Sequence, residues 1–189
     1  MADYTELLKK RRAIRHFREE PVPPDLIREI IGECCLAPSA GNRQPWRFVI
    51  VTDPAMIRRL SDESKANLLA DLEADPDSPI RQYEPVLKMA DFNVFYNAPA
   101  LLIIAGGATT RSLSVDCALA AAYFMLSAAD RGLGTCWVDL GGNIRSPKTL
   151  GELGLAPSHR IVAPIILGYP TMVPAPPPRK EPEILKHIS

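Results

Sequence analysis

The apolar positions of this 189-residue chain fall into short patterns, and each pattern names an element. Leu26, Ile27, Ile30, Ile31, Cys34 and Cys35 recur at the spacing of one helical face, predicting a helix from Asp25 that Pro38 ends. WRFVIVT, 46–52, predicts a strand with Trp46 as a core anchor at its start. Asp53-Pro54 opens a helix with proline in its first turn, expected to run to about Glu73. DPDSPIRQYEP, 75–85, reads as a surface loop, and VLKMADFNVFY as a further helix broken by Asn97-Ala98-Pro99. ALLIIAG, 100–106, is a short buried strand. SVDCALAAAYFMLSAADR, 114–131, is small, apolar and nearly free of charge, which predicts a helix buried on most sides and closed by Gly132 and Gly134. TCWVDL is a strand entering the glycine turn GGN, PKTLGEL a short helix, and RIVAPIILGYP holds the last core strand.

At the N-terminus, Asp3 followed by Glu6 predicts a cap and capping-box partner for a short helix through TELLKK. That helix places Arg11 and Arg12 near its C-terminal end, and AIRHF follows as extended chain leading into PVPP. About four strands with five or six helices in mixed order imply α+β or α/β, one sheet layer covered by helices. The expected organisation is one domain over 1–170 and a proline-rich tail over 171–189. The tail has too little apolar content to pack alone, so it is expected to lie on this chain or on a second one.

Composition narrows the function. Hydrophobic residues are 47% and charged residues 23%, an ordinary globular balance. No apolar run reaches the length of a membrane span, and MADYTELLKK lacks the apolar core of a secretory signal, so a soluble cytoplasmic protein with no membrane partner is expected. The four cysteines form no CxxC pair and His16, His159 and His187 have no ligand spacing, so no metal is expected. Lys9, Lys10, Arg11, Arg12, Arg15 and Arg18 crowd one stretch, yet the net charge is +0 and Glu19 and Glu20 follow directly. That balance argues against nucleic acid and for a local anion site, or for cations that complete a helix dipole. There is no G-x-G-x-x-G and no GxxxxGK[ST], and Ser39 and Ser112 have no evident His/Asp partners. An enzyme without a nucleophile, base or metal needs a cofactor that carries the chemistry. A cationic anchor, a polar loop ahead of a strand and a glycine turn after a strand could together hold a phosphate and a flat polar ring.

RRAIRHF, then APSAGNRQPWRFVIV, GLGTCW, a GG turn and ILGYP, in that order, resemble the FMN-dependent nitroreductase family over nearly the whole chain. The resemblance implies an α+β nitroreductase-like fold with a central, mainly antiparallel sheet flanked by helices. It also implies an intertwined homodimer with FMN at the subunit interface. Arg11 and Arg12 match the pair that reaches the phosphate and ribityl chain, where a planar guanidinium donates two charge-assisted hydrogen bonds. Ala13 stands where the family usually has serine. Arg15 matches a cation near the N1/O2 edge of the ring, suited to the negative charge that reduction places there. Pro38, Ser39, Ala40, Asn42 and Gln44 match the loop contributed by the second subunit, and Asn67 a mid-helix amide contacting the ring. Val138, Leu140, Gly141 and Gly142 lie in the turn whose backbone N–H groups approach flavin N5, here apparently two residues longer than in many relatives. Arg179 and Lys180 match a basic C-terminal pair that returns to the phosphate.

The activity implied is ping-pong electron transfer from NADH or NADPH through the flavin to a nitroaromatic, quinone or similar small-molecule acceptor, with no catalytic side chain beyond Arg15 as an electrostatic stabiliser. The alternatives are a flavin store or sensor, a non-catalytic anion-binding dimer, or a branch with other flavin chemistry such as dehalogenation or flavin fragmentation.

Overall fold

A computed structural model describes residues 3–75 and 77–188; Met1, Ala2, Pro76 and Ser189, which fall in the expected domain, loop and tail, lie outside the described residues. The chain forms α1 (Tyr4–Lys10), α2 (Pro24–Cys34), β1 (Arg47–Val51), α3 (Pro54–Ala74), α4 (Glu84–Leu87), β2 (Ala100–Gly107), α5 (Leu113–Asp130), β3 (Gly134–Trp137), α6 (Pro147–Glu152) and β4 (His159–Gly168). The strands make one sheet in the order β1-β2-β4-β3, with every neighbouring pair antiparallel. The fold is therefore α+β. The unbroken apolar runs of β2 and β4 follow from their place at the centre of the sheet with both faces covered. Even-numbered β2 residues such as Leu102 and Ile104 pack with α2 and α5, whereas Leu101 and Ile103 pack with α3 and the 92–98 segment.

Several boundaries differ from the sequence reading, each for a local reason. Asp3 Oδ1 caps α1 by accepting from the N–H of Thr5 (2.8 Å) and Glu6 (3.4 Å), but the Glu6 carboxylate pairs with Lys9, so the capping box is half formed. α2 stops at Cys34, ahead of Pro38, because the N–H groups of Leu36 and Ala37 turn back onto the carbonyls of Glu33 and Cys34. The 75–85 stretch is not wholly loop: a 3-10 turn, Pro79–Tyr83, leads into α4 at Glu84. The strand expected over TCWVDL ends at Trp137, and Asp139–Gly142 is a 3-10 turn.

The helix expected over VLKMADFNVFY is not formed beyond Leu87. Buried Lys65 of α3 donates to the carbonyls of Met89 (2.7 Å) and Phe92 (2.9 Å), and the Met89 carbonyl takes the Phe92 N–H (3.3 Å) in a three-residue turn in place of a helical bond. Asn93 Oδ1 accepts from Phe95 N–H, Ser61 Oγ accepts from Val94 N–H, and Tyr96 and Asn97 adopt left-handed φ of 54° and 52°. Side chains have replaced the backbone as partners here. Lys65→Met removes the donor from two sequestered carbonyls, and thermal unfolding is expected to show a loss of roughly 2–4 kcal/mol. An unchanged melting temperature would mean that water takes over both acceptors.

One further expectation is corrected. α5 is long and apolar enough, by length and composition, to cross a membrane. Leu113, Cys117, Ala120, Ala121, Phe124 and Ala128 are nonetheless buried in the sheet-facing core, while Val115, Leu119 and Tyr123 are exposed, so within this chain the helix is buried on one face and not on most sides. All four cysteines are free, with Cys34, Cys117 and Cys136 buried and Cys35 half-buried.

Candidate functional site

The cationic stretch becomes an extended ribbon along the outer edge of β3. Ala13 makes a parallel bridge with Thr135, and Ile14 N–H donates to the Thr135 carbonyl at 2.9 Å. At its far end Phe17 bridges Pro170, so the ribbon is held between β3 and the chain leaving β4. Extended chain alternates its side chains, and the alternation divides the arginines. Arg11 and Arg15 both act on the Cys136 thiol, whose pKa burial raises and whose thiolate these two cations favour. Arg15 also lies over the Tyr96 ring, 5.5 Å from its centroid, a cation–π distance. Ala13, between them, is exposed.

Arg12 and Ile14 face the other way. They line a groove of ≈ 680 Å³ with Lys9, Lys10, Leu133 and Thr135, which Arg11 also reaches and which Val173, Pro174 and Pro176 of the tail border. Arg12 Nη1 donates to the Arg11 carbonyl at 2.6 Å, while its Nε is buried without a partner. Thr135, only 1% exposed, likewise has an unpartnered hydroxyl. Buried polar atoms are normally satisfied, so two beside one cationic groove are a chemical signal. Among the described residues, none of Arg11, Arg12 and Arg15 has a carboxylate partner.

Past β3 the chain enters the glycine turn. Val138 N–H donates to the Pro164 carbonyl and Gly141 N–H to the Val138 carbonyl, both at 2.9 Å, so two of the four expected turn residues already use their backbone donors. Gly141 sits on the Phe95 ring so closely that a Cβ there would lie 2.3 Å from Phe95 Cε1, whereas Gly142 faces open space. The Leu140 carbonyl accepts from Ser64 Oγ. Asn67 has a bonding partner in the protein: its Nδ2 donates to the Asn143 carbonyl at 2.7 Å, tying α3 to the end of the turn. Arg15 stacks on Tyr96 and Phe95 packs under Gly141, so the ribbon and the turn meet through two consecutive aromatic residues.

The loop 38–44 lies elsewhere. Gly41, Asn42 and Gln44 take left-handed φ, Gln44 N–H donates to Ser39 Oγ, and Gln44 Nε2 donates to Asn42 Oδ1. Buried Asp116 fixes the loop by accepting from Ala40 N–H (3.0 Å) and from Ser112 Oγ (2.7 Å). Asn42 and Gln44 are exposed, as is Pro38. This loop leads into β1, at one edge of the sheet, while the arginine ribbon flanks β3 at the other. Four strand spacings separate them, roughly 19 Å. Arg179 and Lys180 are exposed on the tail, beyond the part that borders the groove. Within one chain, then, Arg11, Arg12, Ala13, Arg15 and the 138–142 turn share a neighbourhood, Asn67 supports that turn, and Pro38, Ser39, Ala40, Asn42 and Gln44 stand apart.

Four contributing residues were not foreseen: Tyr96, Thr135, Asp116 and Glu63, whose carboxylate binds the chain after the turn. Only Asp116 carried a visible signal, as the one charge in the stretch 113–129.

Comparison with known proteins identifies the family and the fold. The model of the nitroreductase family matches residues 8–169. A putative NADH dehydrogenase/NAD(P)H nitroreductase of Archaeoglobus fulgidus is 26% identical over 172 residues, 90% of this chain and 87% of that protein. The 5,6-dimethylbenzimidazole synthase of Rhodospirillum rubrum is 31% identical over 179 residues, 87% of this chain and 80% of that protein. A Bacteroides fragilis nitroreductase crystallised with bound FMN superposes with a TM-score of 0.82 at 21% identity, covering 100% of both chains. Ribbon, turn, sheet order and family match converge: this chain belongs to the nitroreductase family.

Proposed function

We propose that this chain is an FMN-dependent oxidoreductase that takes electrons from NADH or NADPH and passes them to a nitroaromatic, a quinone or a similar acceptor. The observation that carries the reading is the ribbon: unpaired Arg11 and Arg15, with the unpartnered Arg12 Nε and Thr135 hydroxyl beside them, run along β3 to the glycine turn. The donor set fits a phosphate at the Arg11–Arg12 end and a polar ring edge at the Arg15 end. The FMN-bound Bacteroides fragilis nitroreductase and the name of the Archaeoglobus fulgidus relative favour the same cofactor and donor. Arg179 and Lys180 would close over the phosphate as the tail folds onto the domain formed by residues 1–170.

The loop 38–44 belongs to the site only if a second copy supplies it, because its own chain holds it at the far sheet edge. We read the unit as a homodimer in which Ser39, Ala40, Asn42 and Gln44 of one subunit face the ribbon of the other. Exposed Val115, Leu119 and Tyr123 recur at helical spacing on α5 and suit that contact.

When bound, FMN would supply the redox chemistry between nicotinamide and acceptor, with Arg11 and Arg12 holding its phosphate and Arg15 its polar ring edge. Arg15 stabilises the negative charge that accumulates at the ring's polar edge. Val138 and Gly141 have committed their N–H groups to protein carbonyls, so neither would be a donor to a bound ring. Asn67 holds the turn through its Nδ2.

The test is an absorbance spectrum of the purified protein, repeated after FMN and then NADH or NADPH without oxygen. A flavin spectrum that bleaches with nucleotide and recovers with a nitroaromatic or quinone is expected. A colourless protein that cannot be reconstituted would remove the reading and leave an anion-binding dimer. Retained colour without bleaching would leave a flavin store. A second reading, consumption of the flavin itself, is favoured by the 31% identity to 5,6-dimethylbenzimidazole synthase. Irreversible loss of flavin absorbance with a benzimidazole product under oxygen would establish it.

A further inference from the structure

One face of α3 holds the whole segment that follows the turn. Glu63, Ser64, Asn67 and Asp71 are spaced so that they share a helical face, and each bonds the stretch 140–149. Ser64 Oγ donates to the Leu140 carbonyl, and Asn67 Nδ2 to the Asn143 carbonyl. Asp71 takes both terminal nitrogens of Arg145, whose Nη2 also donates to Asn143 Oδ1 at 3.0 Å. Glu63 contributes most: its Oε1 accepts from the backbone N–H groups of Arg145 and Ser146, each at 2.8 Å, and its Oε2 from Thr149 Oγ1 at 2.6 Å. Beyond Val138 the chain has left the sheet, since β3 ends at Trp137 and Val138 N–H makes the one further bond to the Pro164 carbonyl. Side chains of α3 therefore do for this segment what a strand ladder does for β3.

We infer that Glu63 is a positioning residue for flavin reduction, fixing the height of Leu140–Gly142 over the ring by clasping the backbone just after it. The inference rests on the reading that this turn faces the flavin. Burial alone would raise the Glu63 carboxyl, but its bonds to Thr149, Ser146 and Arg145 outweigh burial and hold it below the ordinary carboxylate value, so the clasp is an ionised one near neutrality. It touches no reacting atom. Its effect passes through two backbone donors and the short link from Asn143 to the turn. Phe95 under Gly141 makes that link unforgiving, because the turn can rise but cannot sink.

The alternative is a local role, with Glu63 helping only Ser146 to cap α6. The two differ in what Glu63→Ala and Glu63→Gln should do. Glutamine keeps an acceptor for the two N–H groups and can donate to Thr149 Oγ1; alanine keeps neither. In the FMN-loaded protein, E63A is expected to slow anaerobic flavin bleaching by NADH roughly 10-fold per bound flavin, with FMN affinity within about 3-fold, since small misplacement at a reacting centre is costly. E63Q is expected to restore the rate to within about 3-fold. Amide hydrogen exchange over 140–146 should quicken about 10-fold in E63A and recover in E63Q. Thr149→Val, which removes the hydroxyl bond to Glu63 Oε2 but keeps both backbone bonds to Oε1, should lower stability and leave the bleaching rate alone. A lower melting temperature in E63A with unchanged bleaching rate and unchanged exchange at 140–143 would overturn the inference. If wild-type protein takes up no FMN, the underlying reading fails visibly and separately, and the exchange comparison still decides whether Glu63 holds the turn.

Discussion

Arg15→Ala is expected to slow flavin reduction by roughly 10- to 100-fold while leaving FMN affinity within about 3-fold, and Arg11→Ala to do the reverse. Both residues lie on one face of the ribbon, on either side of Ala13, but they meet different ends of the ligand. Arg15 is anchored by the Tyr96 ring, so its guanidinium is held at the end of the ribbon nearest the glycine turn. A fixed cation there matters most when negative charge develops, which is the condition for accelerating a step rather than only binding. Arg11 stands beside the groove where Arg12 Nε and the Thr135 hydroxyl lack partners, the neighbourhood suited to a phosphate. Losing charge-assisted hydrogen bonds there costs about 1.5–3 kcal/mol, roughly 10- to 150-fold in FMN affinity, with little change per bound flavin. Stopped-flow bleaching with saturating NADH, set beside fluorescence titration with FMN, separates the two. Equal effects of both substitutions on both quantities would sink the division. Arg15→Lys should recover much of the rate, because it restores charge without the planar fork.

Much of the fold was legible because burial imposes periodicity. β2 is apolar throughout, β4 is apolar from Ile161 to Leu167, β1 ends in three β-branched residues, and α5 is mostly small and apolar, so their existence and order follow from the sequence. What could not be read was where side chains displace the backbone as hydrogen-bond partners. The helix expected over VLKMADFNVFY has an acceptable helical composition, and its competitors are side chains, Lys65 on two carbonyls and Ser61 and Asn93 on two N–H groups, of which Lys65 and Ser61 lie far back in the chain. The site divides in the same manner. Arg11, Arg12 and Arg15 were visible as a cluster, but their separation onto two faces depends on the bridge between Ala13 and Thr135. Asn67 was expected against a ring, and its Nδ2 holds the Asn143 carbonyl, a pairing across seventy-six positions that no local pattern encodes. The loop 38–44 was recognisable by its own residues, yet its distance from the arginines is a property of strand order.

That distance gives the second large effect. Two inactive variants, Arg11→Ala/Arg15→Ala and Ala40→Glu, are expected to recover activity when their subunits are mixed and reassembled. Ala40 is exposed on the loop, and its N–H is already held by Asp116, so a glutamate there leaves the fold in place and sets a carboxylate against the incoming phosphate. If each site takes its ribbon from one subunit and its loop from the other, a mixed dimer contains one doubly damaged site and one intact site. Random reassembly makes half the dimers mixed, so activity should reach about a quarter of the wild-type value from two parents that have almost none. A site built within a single chain cannot behave this way, because every chain in the mixture carries one lesion. No recovery, with mixed dimers demonstrated by mass, would therefore show that the loop and the ribbon do not meet across the interface. The sheet makes the first outcome the expected one: β1 and β3 are its opposite edges, and an exposed loop at one edge can reach the arginine ribbon at the other only on a neighbouring copy.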